Sequence, residues 1–132
     1  MTLSASFSRL ARPALSILRD ILDAVGAIES YTRGGQEAFV ADAMARDAVI
    51  ARLIQIGQAV KDAQAAGVKL DILRPDIPWR KIAAMRDRLA HRYWETEARL
   101  LWAVVEVELP KLSAAVAEMS RTAREPAIPP RA

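Results

Sequence analysis

Apolar residues recur at spacings of three and four along most of the chain, which is the period of a helix with one buried face. In the first such segment, about residues 13–32, this face carries Leu18, Ile21, Leu22, Val25 and Ile28. A short helical piece is predicted over 36–42. A broader apolar band over about 43–66 indicates a helix that is buried on more than one side. Gly57 lies inside that band, where glycine costs up to ~1 kcal/mol relative to alanine, so we expect a close helix–helix crossing there.

The second half of the chain predicts two further helices. Residues 68–77 are interpreted as an ordered loop whose apolar residues pin it to the body of the protein. Pro78 opens the next helix, because its fixed φ suits a first turn that needs no amide donor, and this helix runs to about Tyr93. The last helix begins near Thr96, a candidate N-cap, and continues to about Ser120.

No segment alternates with a period of two, so the pattern predicts an all-α fold. The expected arrangement is four main helices and a short one in an up-down bundle. Pro110 should kink or break the last helix, because its ring removes a hydrogen bond and crowds the preceding turn. Residues 1–13 are interpreted as an N-terminal extension, 14–120 as the helical domain and the proline-rich 121–132 as a disordered tail.

The composition narrows the chemistry that this bundle can carry. A chain of 132 residues makes one domain, and a hydrophobic fraction of 52% leaves apolar surface for an oligomer. The chain has no cysteine and one histidine, which excludes thiol catalysis and cysteine or multi-histidine metal sites, so neither a metal nor a cofactor is expected. The net charge of +3 permits contact with RNA phosphate or an acidic partner. No apolar run approaches the ~18 residues of a membrane span, and we expect a cytoplasmic protein without membrane attachment.

Residues 78–94, PWRKIAAMRDRLAHRYW, hold the only histidine together with clustered arginines and aromatic residues. On a helix one apolar stripe contains Trp79, Ile82, Met85, Leu89 and Tyr93. Arg86 lies seven residues from both Trp79 and Tyr93, and it therefore falls inside this stripe. Burial of an arginine is costly unless the guanidinium meets an anion or a polar interface. The alternative is that its stem packs while its head reaches water.

The histidine projects in another direction. Five residues at ~100° each place His91 ~140° from Arg86, so one straight helix does not bring them to the same face. Either the helix end is distorted, or a second copy completes the site across a two-fold axis. Asp87, four residues before His91, can orient its imidazole, although His91 can equally be an ordinary surface residue. Tyr93 and Trp94 either anchor the helix end in the core or present the Tyr93 hydroxyl beside His91.

The spacing of these polar residues resembles the signature of the HepT toxin family in the HEPN superfamily. The pattern is R-x4-H-x-Y, formed by Arg86, His91 and Tyr93 after the PW pair. The likeness extends from about residue 18 to 119 through the phrases ILDAVGAIESYT, AVIARLIQIGQAVK, DIPWRKIAAMRDRLAHRYW and VVEVELPKL. It implies a HEPN-type bundle of four to five helices that works as a homodimer.

The resemblance also implies roles for individual residues. Arg86 and His91 would form a metal-independent endoribonuclease site in a cleft shared by two protomers, where His91 removes the proton of an RNA 2′-hydroxyl and Arg86 stabilises the phosphate. The RNA would be a tRNA or an mRNA. Asp87 and Arg92 are the supporting polar residues. Tyr93 would be the residue that a cognate MntA-type nucleotidyltransferase antitoxin modifies with AMP, although similar systems neutralise by binding alone.

Two other functions are compatible with the sequence. Some HEPN domains resemble the helical half of a split nucleotidyltransferase and bind nucleotide or substrate without cutting RNA. A purely structural dimeric bundle that serves as a partner for another protein would also satisfy the apolar pattern. Only the polar cluster over residues 86–93 argues for catalysis.

Overall fold

The computed structural model describes residues 12–124, and all of the regular structure there is helical. The predicted extension therefore lies outside the described residues over 1–11, as does the predicted tail over 125–132. The helices, in chain order, are α1 (Arg12–Tyr31), α2 (Gln36–Ala41), α3 (Ala43–Ala65), α4 (Leu70–Leu73), α5 (Trp79–Arg92), α6 (Ala98–Ala103) and α7 (Leu109–Arg124). A 3₁₀ turn, Tyr93–Glu95, follows α5, and a π-helical segment, Val104–Glu108, joins α6 to α7.

The long helices form the predicted bundle around one apolar core. Helix α1 packs along α3 and α7, and α5 packs along α3. The apolar face predicted for α1 is confirmed, because Leu18, Ile21, Val25 and Ile28 are almost completely buried. Both sides of α3 contribute to the core, as its broad apolar band indicated, through Val49, Ile50, Leu53, Ile56 and Val60. None of the helices within residues 12–124 is long and apolar enough to cross a membrane.

Helix α3 ends in a glycine motif that explains how the chain turns toward α5. Gly67 has a φ of 85°, in the left-handed region that glycine adopts without strain. Its amide bonds to the Gln64 carbonyl at 3.1 Å, and the Val68 amide bonds to the Ala63 carbonyl at 3.0 Å. These two bonds make a Schellman motif, which satisfies the last carbonyls of the helix.

The segment predicted as an ordered loop contains the one-turn helix α4. Leu70 and Ile77 are buried and attach the segment to the core, as expected, whereas Ile72 is 53% exposed. Trp79, the first residue of α5, is also buried, and its indole N–H donates to the Arg74 carbonyl at 2.9 Å. The segment thereby fixes the position at which α5 begins.

The last helix begins close to the predicted position, but it differs from the prediction in its N-cap, in the effect of Pro110 and in its end. Helix α6 begins at Ala98 with Glu97, not Thr96, as its N-cap, because the Glu97 carbonyl accepts the first helical amides, those of Leu100 and Leu101. Pro110 does not end the helix, which continues to Arg124. The π-helical segment lies directly before it, and the Leu109 amide there bonds to Val104, five residues back, which widens the turn that the proline ring would otherwise crowd. The helix also continues past residue 120, so the first four residues of the predicted tail are helical.

Candidate active site

Arg86 lies at a close crossing of α5 and α3. Opposite it on α3 lies Gly57, which is buried. A Cβ atom added to Gly57 would overlap the Cβ of Arg86 and lie 3.0 Å from the carbonyl oxygen of Ile82. The predicted close crossing at Gly57 is therefore confirmed, and the absence of a side chain there is what allows the base of Arg86 to pack against α3.

The guanidinium of Arg86 is only partly satisfied. Its side chain is 30% exposed, and its Nη1 donates to the Asp87 carboxylate at 3.2 Å. Its Nε is buried and has no hydrogen-bond partner among the residues that the structure describes. A buried donor without a partner costs free energy unless a ligand or a second chain supplies an acceptor. The guanidinium is therefore incompletely hydrogen-bonded, and the 30% of the side chain that is exposed is the part that an anion can reach.

A groove on the outer face of α3 leads to Arg86. Helix α1 contributes Asp20 to its wall, and α3 contributes Gln55, Gln58 and Asp62. The groove therefore combines amide groups, which donate and accept, with two carboxylates that repel anions at a distance. Arg86 is the cationic side chain among its lining residues, against the carboxylates of Asp20 and Asp62, so any attraction of the groove for an anion is confined to Arg86.

Asp87 is engaged by two cations. Its Oδ1 accepts from Lys61 Nζ at 3.0 Å and from Arg86. The Lys61 ammonium, together with Arg86, lowers the pKa of the Asp87 carboxyl against a smaller opposing effect of desolvation. Within residues 12–124 Asp87 makes no hydrogen bond to His91, so in the protomer it restrains Arg86 instead of the imidazole that the sequence suggested. Lys61 is a partner that the local sequence pattern did not predict.

The lowered pKa of Asp87 predicts how stability depends on pH. A carboxyl whose pKa is lower in the folded state than in the unfolded chain stabilises the fold above the unfolded pKa of about 3.9. That contribution disappears as the pH falls through the lower folded-state pKa. We therefore expect wild type to be more stable than Asp87→Asn at pH 6, with a difference that shrinks below about pH 4. Urea midpoints measured from pH 7 to pH 3 test this, with the exposed Asp71→Asn as control. A wild-type advantage that is the same at pH 3 as at pH 6 would contradict the assignment.

His91 lies in the last turn of α5 and is exposed. Helix α5 is continuous from Trp79 to Arg92, so no break separates Arg86 from His91. Of the two arrangements considered from the sequence, a distorted helix end is found only from Arg92, whose φ of −141° and ψ of 42° begin the 3₁₀ turn; this lies after His91 and does not bring His91 toward Arg86. Arg86 points toward α3, and His91 projects from another side of the helix, about 140° away and roughly 7.5 Å along the axis. A single protomer does not bring them together on one face.

The aromatic residues after His91 are exposed. Tyr93 is 48% exposed and Trp94 is 67% exposed, so the interpretation that they anchor the helix end in the core is wrong. Their rings are perpendicular, with centroids 5.4 Å apart. Arg92 is exposed as well, and its Nη1 lies 3.4 Å from Glu95. The end of α5 therefore presents an imidazole, a guanidinium and a phenol to solvent within three residues.

Comparison with known proteins identifies the family to which this arrangement belongs. The sequence model of the Ribonuclease HepT-like family matches residues 21–119, which include Arg86, His91 and Tyr93. The chain belongs to this family. The resemblance seen in the sequence is thereby confirmed.

Individual relatives support the assignment. The chain is 40% identical over 96 residues to the "Probable ribonuclease HepT" of Thermococcus cleftensis, an overlap that covers 72% of this chain and 84% of the relative. A "Putative RNase" of Caldanaerobacter subterraneus subsp. tengcongensis is 34% identical over 83 residues, covering 63% and 71% of the two chains. A larger Methanocaldococcus jannaschii protein, named "Gamma-glutamylcyclotransferase and putative RNase", is 35% identical over 72% of this chain and 42% of its own length. No solved structure is significantly similar to the chain.

Proposed function

We propose that this protein is a HepT-like toxin that cleaves RNA internally, without a metal, at a site formed by Arg86 and His91. The observation that carries the proposal is the position of Arg86. The base of its side chain packs against Gly57 at a helix crossing, and its buried Nε has no hydrogen-bond partner in the described part of the chain. Family membership supplies the reaction class, since relatives bear the name ribonuclease.

The reaction follows from the chemistry of the two side chains. The His91 imidazole removes the proton from a 2′-hydroxyl, and the resulting oxygen attacks the adjacent phosphorus. The bond from phosphorus to the 5′-oxygen breaks, and an imidazolium returns a proton to that oxygen. The products are a 2′,3′-cyclic phosphate and a 5′-hydroxyl. The Arg86 guanidinium stabilises the charge that gathers on the phosphoryl oxygens in the transition state. The 2′-hydroxyl requirement restricts the substrate to RNA.

The proposed site is shared by two protomers. Because α5 is continuous, Arg86 and His91 of one protomer project to different sides of the helix. A two-fold axis beside α5 would bring a His91 from one copy toward an Arg86 from the other. A homodimer is therefore part of the proposal. Arg86→Ala and His91→Ala should each be inactive alone, and mixing them should restore part of the activity, because a mixed dimer contains one complete site.

Neutralisation by a cognate MntA-type nucleotidyltransferase completes the proposal. The exposed side chain of Tyr93 is accessible to a modifying enzyme and lies two residues after His91. Transfer of AMP to its hydroxyl would add bulk and negative charge beside the site and repel substrate phosphate. Tight binding of the antitoxin over the same surface would have the same effect.

Incubation of purified protein with total RNA and tRNA in EDTA tests the proposed reaction. Wild type should produce fragments with cyclic phosphate ends, and His91→Ala should be slower by about 10²- to 10⁴-fold, the usual contribution of a general base. Mass spectrometry first establishes that Tyr93 carries no AMP. If dimeric, unmodified wild type leaves all RNA intact yet binds nucleotide, the protein is a binding subunit and not a nuclease.

A further inference from the structure

Two of the three tryptophans pack inside the protein or against another ring, which gives them a structural role. Trp79 is 1% exposed and its indole N–H is bonded to Arg74. Trp102 packs against Phe39, with ring centroids 5.8 Å apart. Trp94 is different, because two-thirds of its surface is exposed in the 3₁₀ turn after α5. Exposure of so large an apolar side chain indicates a binding surface more often than a packing role.

A groove with basic residues in its lining begins at the 3₁₀ turn that holds Trp94. It lies between α5 and α6, and its apolar lining is formed by Met85, Leu89, Leu100, Leu101 and Val104. Its charged lining residues are Arg88 and Arg92, with Glu95 as the acidic member. Arg92 immediately precedes the turn that holds Trp94, and His91 immediately precedes Arg92. Trp94 therefore lies in the turn next to a groove lined by two arginines, at the end of the helix that carries the proposed base.

We propose that Trp94 is a base-stacking platform for single-stranded RNA, with Arg88 and Arg92 contacting the phosphates of the same strand. This rests on the proposed ribonuclease function and deepens it by assigning the substrate as an unpaired strand. Base stacking on an exposed aromatic side chain, combined with cations that follow the backbone, is how proteins hold single strands without reading their sequence. The perpendicular packing of Trp94 on Tyr93 means that the two rings do not stack on each other.

The charge of the groove beside the turn favours a nucleic acid as the occupant. The groove is lined by Arg88 and Arg92 against one acidic residue, Glu95, which is paired with Arg92 at 3.4 Å. Arg88 therefore leaves the groove with a net positive charge, which complements a phosphate backbone.

Intrinsic fluorescence tests the proposal directly, because Trp94 is the exposed member of the three tryptophans. A single-stranded 2′-O-methyl RNA oligonucleotide, which lacks the attacking hydroxyl, should quench wild-type fluorescence. Trp94→Phe removes the reporter ring and should abolish most of the quenching while it retains binding measured by anisotropy of a labelled oligonucleotide. Trp94→Ala should weaken binding, and raise KM for a single-stranded substrate, by about 5- to 100-fold with a smaller change in kcat. Ile72→Ala, which removes another exposed apolar side chain on α4, should change neither the binding of the oligonucleotide nor KM.

Three results separate this proposal from its alternatives. Unchanged affinity and KM in Trp94→Ala would overturn it while leaving the nuclease function intact. Trp94 emission that changes on dilution of the protein alone, with loss of the dimer in Trp94→Ala, would overturn it by assigning Trp94 to an interface between copies. Quenching of Trp94 by the oligonucleotide in a protein that never cleaves RNA would support the platform and reject the proposed reaction.

Discussion

Arg86→Ala should lower kcat/KM for RNA cleavage by about 10²- to 10³-fold, the range found when one donor to a developing anion is removed. The loss should fall on kcat, since the proposed interaction strengthens as charge gathers on the phosphate. The fold should survive, because the Lys61–Asp87 pair at 3.0 Å remains when Arg86 is removed. Initial rates over a range of RNA concentrations, with thermal unfolding curves for each variant, measure both effects.

Two further variants make the interpretation specific. Arg80→Ala removes an exposed arginine from the first turn of the same helix and should retain wild-type activity. Arg86→Lys keeps the charge without the planar fork of donors, so it should recover only part of the lost rate. Equal losses in Arg80→Ala and Arg86→Ala would reduce the effect to general electrostatic attraction. Full activity in Arg86→Ala would remove Arg86 from the reaction.

Gly57→Ala should destabilise the protein by about 1–3 kcal/mol, the usual cost of overpacking a close contact. Alanine normally stabilises a helix relative to glycine by up to about 1 kcal/mol. A loss of stability in Gly57→Ala, instead of a gain, would therefore point to the close contact. The added methyl would overlap the Cβ of Arg86 and approach the Ile82 carbonyl, and neither atom can move without shifting α5. A lower unfolding temperature accompanied by lower nuclease activity is the expected result.

Matched variants show whether the contact between Gly57 and Arg86 causes the loss of stability. Gly26→Ala places the same change inside α1, where nothing lies within 4 Å, and should stabilise the protein by roughly 0.5–1 kcal/mol. Arg86→Ala should not rescue Gly57→Ala, because alanine retains the Cβ atom that is in the way. Rescue in the double variant would mean that the outer part of the Arg86 side chain, and not its base, limits the approach of the two helices.

The sequence predicted the helices far better than the contacts between them. Apolar spacing placed α1, α2, α3 and α5 to within about two residues, because each helix needs only its own periodicity to be recognised. Gly57 and Arg86 were each notable, one as a glycine in a buried helix and the other as a charge in an apolar stripe. Their meeting depends on the register between α3 and α5, which is a tertiary property that neither local pattern contains.

The same reason explains the partner that was missed. Asp87 and His91 are four residues apart, so local geometry favoured their pairing. Lys61 is 26 residues from Asp87 along the chain and reaches it because α3 lies against α5. The sequence held only a weak indication of this pairing. Lys61 lies one helical turn after Gly57, on the side of α3 that faces α5 at the crossing. Exposure of Tyr93 and Trp94 likewise depends on where the chain turns after α5, which their own apolar character does not reveal.

The π-helical segment Val104–Glu108 keeps the two halves of the last helix in phase. A turn closed from residue 109 to residue 104 contains one residue more than an α-helical turn. Closing the same residues as regular α-helix, with none deleted, would rotate everything downstream by about 100°. Leu112, Val116 and Met119, now buried in the core, would then face away from it. The wide turn acts as a one-residue spacer, which absorbs one residue so that both halves of the helix present their apolar side chains to the same core.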